Sequence, residues 1–293
     1  MQVQKQKWSY LIALSLVWGS SFILIKRALL GLSPIQVGAL RMVITSIFLL
    51  LVGYKSIGRI QKKHWKYIVY TALLGTFFPS FLFAYAILHI DSSIAAILNS
   101  LTPFNTFFVG VLIFGFSFQK KQLIGIAIGL LGTVLLILKG ADINPTQNYW
   151  AAILVVISSL GYAFNVNIVK KQLHDLDALA ITTGNFLLLG IPSLGILAYT
   201  GFFNTATHTA MILPSLGYVT VLAIFGTGIA KVFFNKLVHI ATPIFASSVT
   251  YLIPVVAVFW GIWDGEVLSA TQLFGGVIIL WGVYLLNKKK TTT

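Results

Sequence analysis

The 293-residue chain contains no cysteine, only six acidic residues, and few charges of any kind, 9% in all. Without cysteine there are no disulfides and no thiolate metal sites, and the redox compartment is left open. The scarcity of charge excludes more. An ordinary soluble domain carries about 25% charged residues, and a solvated surface cannot be built from so few. Hydrophobic residues make up 58% and the mean hydropathy is +0.93, so lipid is the expected solvent. Any long polar segment is also missing, which leaves no room for the soluble output domain of a sensor. No carboxylate stands at mid-membrane depth, because Asp91, Asp142, Asp175, Asp177, Asp264 and Glu266 all fall in loops or at the ends of apolar runs. Proton relays in pumps generally use an intramembrane Asp or Glu, so a carboxylate relay is not expected unless Glu266 or a histidine serves. The five histidines are scattered without His-x3-His spacing, and no metal or other cofactor is expected. An intramembrane hydrolase, which needs a base or ligands gathered at one depth, is disfavoured on the same ground.

What the chain does contain is apolar runs. A span needs roughly 20 mostly apolar residues, and ten runs qualify: 8–26, 34–53, 65–88, 92–115, 122–139, 149–169, 178–200, 212–235, 243–263 and 269–286. The first run passes Trp18 without an Ala-x-Ala cleavage site, so it reads as an uncleaved span rather than a signal peptide. Pro34 opens the second run, where a missing N–H costs nothing. Pro103, Pro192 and Pro254 lie inside runs, as lipid-protected helices tolerate.

The net charge of +14 would suggest nucleic acid in a soluble protein. Here the basic residues fall between the apolar runs, and no nucleic-acid partner is expected. With a cytoplasmic N-terminus, fifteen Lys and Arg lie on the inner side, among them Arg59, Lys63, Lys120, Lys121, Lys170, Lys171 and Lys288–Lys290. Only Lys26, Arg27 and Lys139 lie outside, and Arg41 and Lys231 remain within runs. Positive loops face the cytoplasm, so both termini are expected there. The expected location is a bacterial-type plasma (inner) membrane, crossed many times. Trp8, Trp65, Trp150 and Trp263 fall near run ends, where interfacial aromatics belong.

The sequence also repeats itself. His89-Ile90 recurs as His239-Ile240, Gln122-Leu123-x-Gly125 as Gln272-Leu273-x-Gly275, and Gly132 as Gly282, all at an offset of 150. Gly75-Thr76 matches Gly226-Thr227, and Leu101-x-Pro103 matches Leu252-x-Pro254, one residue further apart. The expected fold is therefore an all-α membrane protein of ten transmembrane helices in two five-helix repeats, 8–139 and 149–287. Five is odd, so the second half enters the membrane from the opposite side. Inverted repeats of this kind are a common basis of secondary transporters, with cargo bound near the midplane.

Trp18-Gly19-Ser20-Ser21-Phe22 resembles the Trp-Gly-Ser/Thr-x-Phe signature of the drug/metabolite transporter superfamily, EamA family. Ser33-Pro34 with Arg41 resembles its second-span entrance, and Thr102-Pro103 and Ile253-Pro254-Val255 resemble its helix-interior prolines. Gly265-Glu266 followed by Gly275 and Gly282 is similar to its ending of each half, and the likeness covers essentially the whole chain. The resemblance implies ten helices and export or exchange of small metabolites or drugs, without fixing the substrate. One departure stands out. The family's acidic residue after the fourth span is missing, and Gly115-Phe116 stands where Gly265-Glu266 stands in the second half.

Arg41 lies about 10 Å into the second run, at 1.5 Å per residue from Pro34. A charge at that depth costs several kcal/mol unless it meets a wet cavity or a partner. It reads either as an anion site using the guanidinium fork, or as a scaffold lock on backbone carbonyls. Lys231 follows Gly226-Thr227-Gly228 and reads either as cavity-facing or as snorkelling beside Lys236. Trp18 is off the aromatic belts, suited to lining a cavity or to packing on a glycine-bearing helix. Asn99, Asn165, Asn167 and Asn185 are intraspan amides fit for cargo or for interhelical hydrogen bonds. The candidate substrate-binding set is Trp18, Ser21, Arg41, Asn99, Lys231 and Tyr251. The expected function is a secondary transporter, exporter or exchanger, of small metabolites such as amino acids or organic anions by alternating access, the cargo anionic or zwitterionic. A non-transporting membrane protein, either a sensor subunit or an intramembrane enzyme, is the alternative.

Overall fold

The computed structural model describes residues 2–115, 124–125, 127–129, 131–135, 148–205 and 211–287. Among them, eight helices are long and apolar enough to cross a membrane. These are α1 (Gln2–Ala28), α2 (Pro34–Ile57), α3 (Lys62–His89), α4 (Ser92–Leu112), α5 (Tyr149–Gln172), α6 (Ala178–Tyr199), α7 (Ile212–Ile240) and α8 (Pro243–Trp263). A further helix, α9 (Ala270–Asn287), has a shorter apolar part, Ala270–Gly282. The described residues between 124 and 135 are helical. The ends of the fifth expected span lie outside the described residues. So do Phe116, Lys120, Lys121, Gln122, Leu123, Lys139, Asp142, His208 and Lys288–Lys290. The chain is an all-α, multi-pass membrane protein.

Large apolar side chains face outward from the bundle, and polar side chains are buried within it among the apolar core. Ile191, Leu213 and Val255 are exposed, whereas Asn167, Asn185, Thr182 and Asn235 are fully buried. The hydrophobic effect does not distinguish lipid from core, so close packing and internal hydrogen bonds hold such helices together. Asn167 donates to Thr106 O and Ala163 O, and Asn235 donates to Thr182 Oγ1 at 3.0 Å. Ser46 of α2 donates to Phe186 O of α6 at 2.7 Å. Trp8, Trp150 and Trp263 are well exposed at their helix ends.

Glycines set the closest approaches. A Cβ on Gly19 would strike Val256 of α8, and one on Gly53 would strike Thr183 of α6. The contact between α9 and the helical residues 124–135 is reciprocal. A Cβ on Gly282 would lie 2.5 Å from Gly129 N and 2.6 Å from Gly125 O, and one on Gly132 would lie 2.9 Å from Gly275 O. A contact in which each element offers the same positions to the other is what a two-fold relation produces.

Four helices depart from regular geometry. In α3, residues Leu73–Phe77 form a π-helical turn, and in α7 residues Leu222–Ile229 do the same. In α4 the helix stops at Asn99 and restarts at Thr102, with Pro103 in the first turn. In α8 a 3-10 segment, Ser248–Tyr251, separates Pro243–Ser247 from Ile253–Trp263, with Pro254 in the first turn of the latter. At Pro103 and Pro254 the helix is therefore interrupted rather than kinked. Proline lacks the N–H for the carbonyl four residues back, and Thr102 Oγ1 takes Asn99 O instead at 2.7 Å. Pro192 leaves α6 continuous and faces outward.

The packing of α9 gives a direct check. Gly282→Ala is expected to lower the thermal stability of the detergent-purified protein, by about 1–3 kcal/mol as overpacking against backbone does. Gly195→Ala, where nothing lies within 4 Å of the added carbon, is expected to be neutral or slightly stabilising. Equal melting temperatures for the two variants would contradict the close approach.

Candidate functional site

The four irregular segments converge on one cavity. The space it encloses, open solvent at its mouth included, is about 870 Å³. Gly75 and Thr76 come from the π turn of α3, and Gly226 and Thr227 from that of α7. Asn99 and Thr102 flank the break in α4, and Ser247 and Thr250 bracket the 3-10 start in α8. Non-helical backbone at membrane depth is tolerated where it lines a cavity or is buried in protein, and single π turns recur at functional sites.

The π turn of α3 has a visible cause. Pro79 has no N–H to give to Gly75 O, four residues back. That carbonyl accepts from Lys231 Nζ of α7, which also donates to Thr76 Oγ1. In α7, Ala230 N bonds Phe225 O, five residues back. Gly226 O instead accepts from Trp18 Nε1 of α1 at 2.9 Å. Arg41 Nε of α2 donates to Thr227 Oγ1 at 2.6 Å, and Thr45 Oγ1 donates to Ala223 O at 2.8 Å. Each π turn is thus held by side chains from the other part of the chain.

Of the six candidate residues, Trp18, Ser21, Arg41, Asn99 and Lys231 line the cavity. Tyr251 is not among the lining residues. It ends the 3-10 segment packed half-buried against the core, and the neighbouring Thr250 reaches the wall instead. Lys231 does not snorkel toward Lys236. The helix runs on to Ile240 rather than ending near 235, so Lys231 lies too deep and is 7% exposed. Among the amides, Asn99 and Asn165 line the cavity, whereas Asn167 and Asn185 bond other helices. Sequence reasoning missed Tyr162, Ser80 and the Gly-Thr pairs as wall residues. The recurrence of Gly75-Thr76 as Gly226-Thr227 was the available signal.

The cavity wall holds two cations, Arg41 and Lys231, and no carboxylate among the described residues. Aromatic rings form much of the rest. Phe22 meets Phe83 edge-on at 5.6 Å, Phe83 stacks on Tyr162 at 6.0 Å, and Trp18 tilts over Phe234 at 5.0 Å. Asn165 Oδ1 is buried and has no hydrogen-bond partner. Among the described residues no group of His, Cys, Asp or Glu could hold a metal.

The acids gather elsewhere. Asp264 pairs with Lys26 at 2.7 Å and with Arg27, and Lys26 also pairs with Glu266 at 2.8 Å. The Glu266 carboxylate accepts from the backbone N–H groups of both Ser92 and Ser93 at 3.1 Å, and from both hydroxyls at 2.6 Å. It therefore caps the N-terminus of α4, where the helix dipole favours an anion. A Schellman turn aims it: Gly265 adopts φ +86°, and Glu266 N bonds Gly261 O at 2.8 Å. At the other end of α2, Asp175 pairs with Lys63 at 2.7 Å and His64 at 3.1 Å, and Asp177 with Arg59 at 2.9 Å.

A many-helix bundle enclosing a cavity, with irregular backbone and two basic side chains turned into it, fits the architecture of a membrane transporter. The EamA-like transporter family matches this chain twice, over residues 7–138 and 149–288. The chain belongs to that family, and it is a membrane transporter rather than an enzyme. It is 29% identical to the inner membrane transporter YedA of Escherichia coli (strain K12), over 96% of this chain and 90% of that one. It is 26% identical to an S-adenosylmethionine/S-adenosylhomocysteine transporter of Chlamydia muridarum, over 84% and 80% of the two chains. Relatives at 24% identity include a transporter of the archaeon Archaeoglobus fulgidus, with 97% of this chain and 98% of that one covered. A solved structure at 16% identity superposes with a TM-score of 0.66, covering 98% of this chain and 97% of the other, and shares the fold.

Glu266 makes the site testable by pH. Burial pushes its carboxyl up, but the hydrogen bonds from Lys26, Ser92 and Ser93 outweigh this and hold it below the ordinary value of 4.5. A carboxyl depressed on folding stabilises fully above about 4.5 and loses that stabilisation as pH falls through the lower folded value. Glu266→Gln is expected to cost about 2–3 kcal/mol at pH 7, the scale of hydrogen bonds to a charged group. Thermal melts of both proteins from pH 7 to 3.5 should converge as the pH drops. A gap that stays constant would contradict the capping role.

Proposed function

We propose that the chain is a secondary transporter, exporter or exchanger, of small anionic or zwitterionic metabolites, working by alternating access. In this reading it has ten spans in two inverted halves, 8–139 and 149–287, with both termini cytoplasmic in a bacterial-type inner membrane. The reciprocal glycine contact between α9 and residues 124–135 supports the two-fold relation. So does the recurrence of the π turn and of the proline-marked break at matching places in each half. The charge distribution of the loops supports the orientation.

One observation carries the proposal. Three hydrogen-bonded links cross between the halves at the cavity: Trp18 to Gly226, Arg41 to Thr227, and Lys231 to Gly75 and Thr76. A site at which each half holds the other by a few exchangeable bonds can bind cargo and let the halves rock around it. Trp18, Ser21, Arg41, Asn99 and Lys231 are the proposed cargo contacts, joined by Asn165 and Thr250. Arg41 and Lys231 supply the charge. Among relatives, a Salmonella typhimurium protein described as a probable amino-acid metabolite efflux pump is 24% identical over 92% of this chain and 90% of that one, in keeping with metabolite cargo.

The test is flux into proteoliposomes from a panel of amino acids and aliphatic and aromatic organic acids. At least one is expected to move, and Arg41→Ala is expected to cut its initial rate at least tenfold while the purified variant still elutes as a folded species. A panel in which nothing moves, with Arg41→Ala altering only the yield of folded protein, would sink the proposal.

A further inference from the structure

α4 and α8 hold matching places in the two halves, and each is broken just before its proline. The break leaves each with a short first piece, Ser92–Asn99 in α4 and Pro243–Ser247 in α8. The two pieces start at opposite ends of the bundle. Ser92 and Ser93 join the end of α1 through Glu266 and Lys26, whereas Phe245 meets Trp8 near the start of α1. Both breaks line the cavity, through Asn99 and Thr102 in α4 and through Ser247 and Thr250 in α8. Each first piece therefore runs from the cavity to one end of the bundle.

They are held very differently. Every residue of Ser92–Asn99 is buried. Its first two residues give both N–H groups and both hydroxyls to Glu266, which belongs to the other half. That piece cannot shift without breaking buried, charge-assisted bonds. In the first piece of α8, Thr242 is exposed and Pro243, Ile244 and Phe245 are half-buried. Its side-chain hydrogen bonds close on itself. Thr242 Oγ1 accepts from Phe245 N at 3.2 Å, Ser247 Oγ donates to Ile244 O at 3.0 Å, and Ser248 Oγ donates to Phe245 O at 2.6 Å. An edge-on ring contact with the exposed Trp8, at 5.5 Å, ties it to α1. The 3-10 turn Ser248–Tyr251 follows, and such a turn within a helix often marks a hinge. Ser15 of α1 holds that hinge by donating to Val249 O at 2.9 Å. A piece that satisfies its own side chains can swing on a held hinge without stranding a polar group, as membrane depth requires.

Resting on the transport reading above, we propose that Thr242–Ser247 is the gate of the cavity, swinging about Ser248–Tyr251, while the first piece of α4 is a fixed post. Glu266 is then a positioning residue that keeps the opposite end shut. Without cargo the cavity opens more readily at the face that bears the N-terminus.

The chain has no cysteine, so one introduced thiol reports alone. Ser80 lines the cavity and is 4% exposed, which makes Ser80→Cys a reporter of opening. Lys5→Cys, at the exposed start of α1, marks the N-terminal face. The probe is 2-sulfonatoethyl methanethiosulfonate, small, anionic and membrane-impermeant, added to sealed vesicles of either orientation holding the full chain. The Ser80→Cys thiol is expected to react at least tenfold faster from the face that exposes the Lys5→Cys thiol. Adding Phe245→Ala, which frees the gate from Trp8, is expected to raise that rate at least threefold. Phe233→Ala, which removes a like contact between α7 and Tyr10, is expected to leave it unchanged. Glu266→Gln is expected to raise reaction from the opposite face at least fivefold. Equal rates from the two faces, a faster rate from the opposite face, or no reaction from either would overturn the gate. So would equal effects of Phe245→Ala and Phe233→Ala. A folded Glu266→Gln protein with no gain at the opposite face overturns the post. Flux measured on the same preparations keeps the two readings apart: movement of a panel compound leaves transport standing whatever the thiol shows. If nothing moves, transport fails and the gate with it. The comparison of faces needs only the two reporters to fold.

Discussion

Hydrocarbon offers no hydrogen bonds, so every backbone and side-chain polar group at membrane depth must find its partner inside the protein. The features of this chain follow from that constraint. Regular α-helix is the default, and each departure from it must be answered by a neighbour. Pro79 strands Gly75 O, and Lys231 answers. The π turn of α7 strands Gly226 O, and Trp18 answers. Pro103 strands Asn99 O, and Thr102 answers with its own hydroxyl. Because two of these answers come from the far side of the cavity, repairing the backbone also joins the two parts of the chain. The cavity exists where the backbone was interrupted, and its polar lining is made of the groups that repair it.

The halves are alike in plan and unlike in charge. Gly115 and Gly265, 150 residues apart, both adopt left-handed φ, +74° and +86°. After Gly265 comes Glu266, which caps α4 at Ser92 and Ser93 and binds Lys26. The matching helix start in the second half is Thr242-Pro243, and it needs no such carboxylate. Thr242 Oγ1 accepts from Phe245 N at 3.2 Å, and Pro243 has no N–H to satisfy. The basic pair that ends the first helix of each half follows suit. Arg27 binds the Asp264 carboxylate, whereas Lys171 donates to Phe114 O, at the position 150 residues before Asp264. Lys170 turns to Val238 O and His239 O. Where one basic pair meets carboxylates, the other meets neutral carbonyls, so ion pairs give way to bonds charged on the donor side alone.

Much of this architecture was legible from the sequence because it rests on length, polarity and repetition. Apolar runs located the helices to within a few residues, and the motif Trp18 to Phe22 with the Gly-Glu ending pointed to the family. Single wall residues were harder. Arg41 was conspicuous as a charge at depth, but whether it locked the scaffold or faced a cavity depended on Thr227, which is 186 residues away in sequence. Lys231 was left open between the cavity and snorkelling because the apolar run ended at 235, whereas the helix continues to Ile240. Tyr251 was among the candidates, but the 3-10 segment rotates that position off the wall and brings Thr250 onto it. Rotation of this kind depends on backbone hydrogen bonding and leaves no mark in hydropathy. The Gly-Thr pairs were visible only as repeats, and their meaning required the π turns.

Under the proposed function, the atoms that hold the cavity together are also those best placed to recognise cargo, which would link binding to motion. Lys231 has three donor directions, and two are spent on Gly75 and Thr76. An anion that draws the ammonium toward itself weakens the bond that pins α7 to the π turn of α3. Likewise a carboxylate on the guanidinium edge competes with Thr227 for the position of Arg41. Each intramolecular hydrogen bond contributes about 1 kcal/mol net, so ligand contacts of similar size can offset the links at the cavity. Had the cations been paired with buried acids, the links would be far stronger, and an anion would find no charge left to bind. In the proposed transport cycle, a wall without acids among the described residues would serve both requirements, leaving the cations open to cargo and the cavity links easier to exchange.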